Sequence, residues 1–131
     1  CEASKANSIG LHVHCPDGGT PKDGPSAGTA ITISILSSLL KCPVNNKIAI
    51  TGEIDLNGQV CQIGGLDTKI RGAKKAGVKT VLFPASNAHD LQTIKKHYNP
   101  FDGEFKYAMV ETIWDVLPYV FPGLGYGFVR F

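Results

Sequence analysis

Apolar residues recur along this chain with two different periods, and the switches between them mark the expected elements. Ile9-Gly10-Leu11-His12-Val13-His14 alternates, which predicts a strand with Ile9, Leu11 and Val13 on one face. The stretch from Cys15 to Pro25 is dense in Pro and Gly and suits neither a helix nor a central strand. From Ser26 to Leu40 the chain turns apolar on nearly every side, with Ala27, Ile31, Ile35 and Leu39 along one line. A helix of that kind is expected to be buried, and Cys42-Pro43 ends it. Lys47–Thr51 and Ile54–Ile63 read as strands, with a turn at Asn57-Gly58. Gly64-Gly65 opens a second helix, Leu66–Ala76, which Gly77 closes. A short buried strand, Val78–Phe83, runs to Pro84. Asn87–His97 is an expected helix, Phe105–Val110 a strand and Thr112–Val120 a last helix. Residues 121–131 form a Gly-rich tail expected to be irregular, and no role for it can be read.

Strands alternating with helices predict an α/β (α+β) domain, with a small mixed sheet and packed helices. The length of 131 residues fits a single domain spanning 1–131. The abrupt polar start, Cys1-Glu2-Ala3-Ser4, reads as a piece of a longer chain. A net charge of +2 gives no footprint for nucleic acid or a membrane surface, and no run approaches a membrane span. Cys1, Cys15, Cys42 and Cys61 include no C-x-x-C pair, so they are expected to be free thiols in a reducing, intracellular compartment. No secretory signal is present. His12 and His14 share one strand face, but no third ligand has metal-site spacing, so no metal is expected. The unusual totals are Gly 15 and Pro 8.

Many of these glycines and prolines frame one hydroxyl. Thr20-Pro21-Lys22-Asp23-Gly24-Pro25-Ser26-Ala27-Gly28 places Ser26 at the first turn of the apolar helix. Unpaired N–H groups and a partial positive charge gather at a helix start, and they can stabilise an oxyanion beside a nucleophilic serine. A serine in this position can equally be a helix cap. Gly24-Pro25-Ser26-Ala27-Gly28 also fits the G-x-S-x-G elbow of α/β-hydrolases. Asp67 or Asp90 with His89 or His97 would then complete a triad. Against that, Thr20–Pro25 is a poor strand to lead into an elbow, and the chain is short for the fold.

On the second helix Leu66, Ile70 and Ala73 define an apolar stripe, with Arg71, Lys74 and Lys75 at its edge or outside it. Lys69 falls beside Ala73 and points inward. A lysine acts as a general base near neutrality only if its pKa falls from ~10.4 to ~7–8, which burial can bring about. The alternative is a lysine that snorkels past the stripe to water.

Pro21-Lys22-Asp23-Gly24-Pro25-Ser26-Ala27-Gly28, then Thr51-Gly52-Glu53, then Gly64-Gly65-Leu66 with Lys69, resembles the proteolytic domain of Lon proteases of the bacterial and mitochondrial type. The similarity runs from about His12 to Val120, and Ser26 and Lys69 stand 43 positions apart, as in that family. The resemblance implies a serine endopeptidase with Ser26 as nucleophile, Lys69 as general base and Thr51 orienting the lysine. It places Asp23 and Gly24 in the loop that helps form the oxyanion hole; in some members the aspartate here instead ties up the lysine. It also implies unfolded polypeptide substrates, a homo-hexamer, and a cytoplasmic or mitochondrial-matrix setting. Two departures stand out. The family has further strands before the position of His12, and its ATPase motif G-x-x-x-x-G-K-[ST] is absent. No cofactor is therefore expected in this domain; ATP and Mg would belong to a separate ATPase, and this piece would cleave only unstructured peptides. A non-catalytic scaffold module of the same type is the remaining alternative.

Overall fold

The computed structural model describes residues 11–14 and 25–123. Its elements are α1 (Gly28–Leu40), β1 (Ile48–Ile50), β2 (Glu53–Ile54), β3 (Val60–Cys61), α2 (Leu66–Lys75), β4 (Thr80–Pro84), α3 (Ala88–His97), β5 (Lys106–Val110) and α4 (Ile113–Val120). A 3-10 turn, Ala85–Asn87, joins β4 to α3.

The parallel sheet has the order β1-β4-β5, with Ile48 opposite Thr80 and Thr80 opposite Lys106. Its central strand is covered on both faces, which explains why Val81-Leu82-Phe83 is an uninterrupted apolar run. Successive side chains leave a strand on opposite faces. Val81 and Phe83 accordingly pack with Ile70 and Ala73 of α2, Leu91 and Ile94 of α3, and Phe105. Leu82 packs the other way, with Ile33 and Leu40 of α1 and Val116, Leu117 and Val120 of α4. The result is a three-layer α/β/α arrangement, as the alternation of strands and helices predicts. β2 and β3 form a separate antiparallel hairpin, Glu53 opposite Cys61, closed by a turn in which Gly58 has φ +79°.

Local chemistry fixes the helix ends. α2 starts after Gly65 at φ +68° and is followed by Gly77 at φ +82°. Asp67 lies in its first turn and Lys74 and Lys75 in its last, each sign suited to the helix dipole. α4 opens with a capping box between Thr112 and Asp115, and tolerates Pro118 on its exposed side.

Several expectations require correction. Residues 11–14 form no strand; Leu11 and Val13 are exposed, since alternation alone supplies no ladder partner. α1 begins at Gly28 and fully buries only Thr29, Ile33 and Leu40, less than an all-round apolar helix predicts. In the stretch 54–63 the turn expected at Asn57-Gly58 is present, within residues 55–58, but the strands on either side are only two residues long. Cys42 is disulfide-bonded rather than a free thiol, with its partner outside the described residues, whereas Cys61 is free. Spatial proximity decides pairing, and compartment statistics do not carry it. Ile9, Asp23, Gly24, Cys1, Cys15 and the tail from Leu124 onward lie outside the described residues. Among the described residues no helix is long and apolar enough to cross a membrane.

A polar latch ties α2 to the end of α3. Tyr98 Oη donates to Asp67 Oδ1 at 2.5 Å, and Arg71 Nε donates to Asp67 Oδ1 at 3.0 Å and Tyr98 Oη at 2.9 Å. The hydrogen bond from Tyr98, then that from Arg71, holds the Asp67 carboxyl below its ordinary value of 3.8. The same bond to Asp67 lifts the Tyr98 phenol above its ordinary 10.0. A lowered carboxyl pKa adds stability above 3.8 that disappears as pH falls through the lowered value. A raised phenol pKa adds stability below 10.0 that disappears as pH rises through the raised value. The difference in urea midpoint between the wild type and Tyr98→Phe should therefore be flat between 3.8 and 10.0 and shrink beyond both ends. A difference that keeps its size in acid and in alkali would show that the latch contributes nothing to stability.

Candidate active site

The carboxyl ends of parallel strands are the usual place for a site in an open α/β sheet. Here the chain leaves β1 through Thr51 and Gly52, and Thr51 N–H still donates to Leu82 O at 3.1 Å, extending the ladder by one bond. Both residues are buried. Gly52 then joins the sheet to the start of α1. Its N–H donates to Ser26 O at 2.9 Å, and its carbonyl accepts Thr29 N–H at 3.0 Å and Thr29 Oγ1 at 2.8 Å. Thr29 is fully buried, so its hydroxyl has no solvent alternative.

This junction leaves no room for a side chain at Gly52. A Cβ there would collide with Val60 Cγ1 and lie 3.0 Å from Thr29 Oγ1. Gly28 is nearly as crowded: its Cβ would lie 3.3 Å from Ile54 Cγ2. The start of α1 is thus pressed against the 52–54 backbone, and the two glycines permit the approach.

Ser26 sits partly buried just ahead of α1. It is not the helix cap; Ala27 occupies that position, and no side-chain cap hydrogen bond is made. The Gly28 N–H is taken by Pro25 O at 3.0 Å, whereas the Ser26 and Ala27 N–H groups and Ser26 Oγ donate to no described residue. Among the described residues this hydroxyl and these backbone donors have no partner, a combination suited to binding a developing negative charge.

Lys69 approaches from the other layer. It is partly buried on α2, and its Nζ donates to Thr51 Oγ1 at 3.4 Å, next to the Gly52 that holds Ser26. The inward face read for Lys69 is the one it uses. The structure thus gathers Ser26, Thr51 and Lys69 around the end of β1, with no hydrogen bond between Ser26 and Lys69 themselves. Asp23 and Gly24 precede Pro25 in the chain but lie outside the described residues.

The histidine-based arrangement is not assembled. Asp67 is bonded to Tyr98 and Arg71, and Asp90 accepts Asn87 Nδ2 at 2.7 Å; His89 and His97 are exposed on α3. His12 and His14 have ring centroids 6.2 Å apart, and among the described residues no group of three His, Cys, Asp or Glu could hold a metal ion. Two structural contributors were missed in the sequence, Thr29 and Asn87. The signal for Thr29 was a polar residue inside an apolar stretch, whereas Asn87 lies in the mixed run Ala85-Ser86-Asn87-Ala88-His89-Asp90, which carries no such signal.

Comparison with known proteins places the chain among proteins of one family. A family profile of the Lon protease (S16) C-terminal proteolytic domain matches residues 1–123. The chain is similar to "Lon protease" of Buchnera aphidicola subsp. Schizaphis graminum, at 55% identity over 66% of this chain and 11% of that protein. It is 41% identical to "Lon protease 2" of Herpetosiphon aurantiacus over 92% of this chain and 14% of that protein. "Lon protease homolog, mitochondrial" of Scheffersomyces stipitis is 45% identical over 87% of this chain and 10% of its own length. The chain thus spans 10% to 14% of the length of these relatives.

The Gly52 junction gives a direct test. Gly52→Ala should cost about 1–3 kcal/mol by overpacking, read from urea unfolding. Val60→Ala in the same chain removes the colliding methyl, so the double variant should be more stable than the two single costs predict. Strict additivity would mean that the contact with Val60 does not limit the approach.

Proposed function

The chain belongs to the Lon protease (S16) C-terminal proteolytic domain family, and on that premise we propose that it cleaves peptide bonds with Ser26 as nucleophile and Lys69 as general base. The observation that carries this reading is the contact of Lys69 Nζ with Thr51 Oγ1, one residue from the Gly52 whose N–H holds Ser26 O. It brings a partly buried amine and a free hydroxyl to one strand end.

The chemistry follows from these parts. Lys69, as the neutral amine, takes the Ser26 hydroxyl proton while Oγ attacks the peptide carbonyl. The carbonyl oxygen becomes an oxyanion facing the unpaired N–H groups at the start of α1. The tetrahedral species collapses, the C–N bond breaks, and the Lys69 ammonium returns the proton to the departing amine. Ser26 is left as an ester. Water then attacks that ester, Lys69 again takes a proton, and collapse releases the acid and restores the serine hydroxyl. Thr51 holds Nζ in reach throughout. In the resting structure Ser26 and Lys69 are not bonded to each other, which is common before substrate tightens catalytic contacts.

Substrates on this reading are unstructured polypeptide segments, since no unfolding motor is encoded in these residues. The wider assignment rests on the family resemblance: an intracellular, ATP-dependent, homo-hexameric protease of protein quality control, with ATP and Mg bound elsewhere in the parent protein. Asp23 and Gly24 belong to the oxyanion loop on the same basis.

A fluorogenic unstructured peptide and a fluorophosphonate probe test the assignment together. Ser26→Ala should neither turn over the peptide nor take the probe. Lys69→Ala should lose about 10²–10⁴-fold in kcat, the usual share of general-base catalysis. Thr51→Val, which removes one hydrogen bond, should lose about 10-fold. His89→Ala and His97→Ala should match the wild type. Loss of activity in a histidine variant with Lys69→Ala active would establish the hydrolase triad instead. A folded wild type in which no serine is labelled would point to a non-catalytic module.

A further inference from the structure

Asn87 is fully buried and takes no part in the chemistry proposed above. It lies at the end of the 3-10 turn after β4, opposite the loop that leads into α2. Its side chain makes a paired exchange with one backbone residue. Oδ1 accepts Ile63 N–H at 3.0 Å, and Nδ2 donates to Ile63 O at 2.9 Å. This is the pattern of two bonded β residues, with a side-chain amide standing in for one of the backbones. Nδ2 has a second hydrogen, which goes to Asp90 Oδ2 at 2.7 Å and fixes which end of the amide faces which group.

The clamp acts where α2 begins. Ile63 is buried and followed by two glycines, the second at φ +68°. Among the described residues no atom lies within 4 Å of the Cβ position of either glycine, so neither is a site of close approach. Gly65 O accepts Lys69 N–H at 3.1 Å, the bond that starts the helix at the lysine itself. The origin of α2 is therefore held from two sides of the glycine pair, by the clamped backbone of Ile63 before it and by the buried side chain of Leu66 after it. Lys69 is held at its head by Thr51 and at its root by the helix start.

We propose that Asn87 is a positioning residue for Lys69: by clamping Ile63 it fixes the start of α2 and so the reach of Nζ to Thr51. The inference rests on the reading of Lys69 as the base. Asp90 supports it indirectly, by orienting the Asn87 amide.

The test compares Asn87→Ala, Asp90→Ala, Asp90→Asn and Lys69→Ala in the full chain, with peptide turnover normalised to sites titrated by a fluorophosphonate. Asn87→Ala should lower kcat per titrated site about 10- to 100-fold at unchanged KM. Asp90→Ala should lower it less, and Asp90→Asn, which keeps an acceptor for Nδ2, should stay close to the wild type. Amide exchange supplies a readout independent of turnover. In Asn87→Ala the Lys69 N–H should exchange faster relative to Ala73 in the same helix. If Asn87→Ala does not fold, Asp90→Ala carries the same comparison. Fewer titratable sites with an unchanged rate per site, or unchanged protection at Lys69, would overturn the proposal by making Asn87 merely structural. A fully active Lys69→Ala would instead remove the reading of Lys69 on which it rests.

Discussion

The backbone of Gly52 is the constraint on which the arrangement depends. Every polar group of that residue is committed: its N–H to the carbonyl of Ser26, its carbonyl to both donors of Thr29. These three bonds join the end of a sheet strand to the start of a helix from another layer. They are short because no side chain intervenes, and the space a methyl would need is filled by Val60 and Thr29. A glycine is usually a concession to flexibility, with an entropic cost. At this position it permits close contact instead, and the buried Thr29 hydroxyl prevents the contact from opening.

From that junction the division of labour between the layers follows. Leu82 faces α1 and α4 while Val81 and Phe83 face α2 and α3, so β4 separates the helix that Ser26 precedes from the helix that carries Lys69. Neither helix touches the site through its own apolar face. Each is seated by its core residues, and Ser26 and Lys69 lie at the ends or edges that packing leaves over. For α2 this is visible in one turn: Leu66, Ile70 and Ala73 are buried while Lys69, between them in sequence, reaches Thr51. The hydrophobic stripe supplies the anchoring energy, and the lysine spends none of it on being held.

Legibility in the sequence tracked how local the determining physics was. Helix α2 was readable almost to the residue because stripe, glycine stop and charge bias all lie within one segment. The apolar run of β4 was readable for the same reason. The strand expected at Ile9–His14 failed over its described part because alternation says which face would be buried but not whether a neighbour exists. Cys42 was misread because disulfide pairing is a property of separation in space. For the site, the serine motif and the lysine were visible as residues, and the inward face of Lys69 followed from helical geometry. Their meeting point was not visible. It depends on Gly52 and Thr29, 23 positions apart in the chain, and a hydrogen bond across that interval leaves no local pattern.

The resting geometry also says which freedoms remain. The backbone around Ser26 is fixed through Gly52, and Lys69 is rooted by its bond to Gly65 O. The Ser26 hydroxyl bonds to no described residue, while the Lys69 amine holds Thr51 at the long end of hydrogen-bonding distance, 3.4 Å. Both are terminal groups that can turn about side-chain bonds without moving an element. A site built this way keeps its reorganisation small, because the expensive part of the alignment is already complete in the backbone. On the proposed reading, the Ser26 and Ala27 N–H groups, which donate to no described residue, would have no internal bond to give up as an oxyanion forms. On that reading a developing negative charge would meet backbone donors whose placement beside the Gly52 junction was settled during folding.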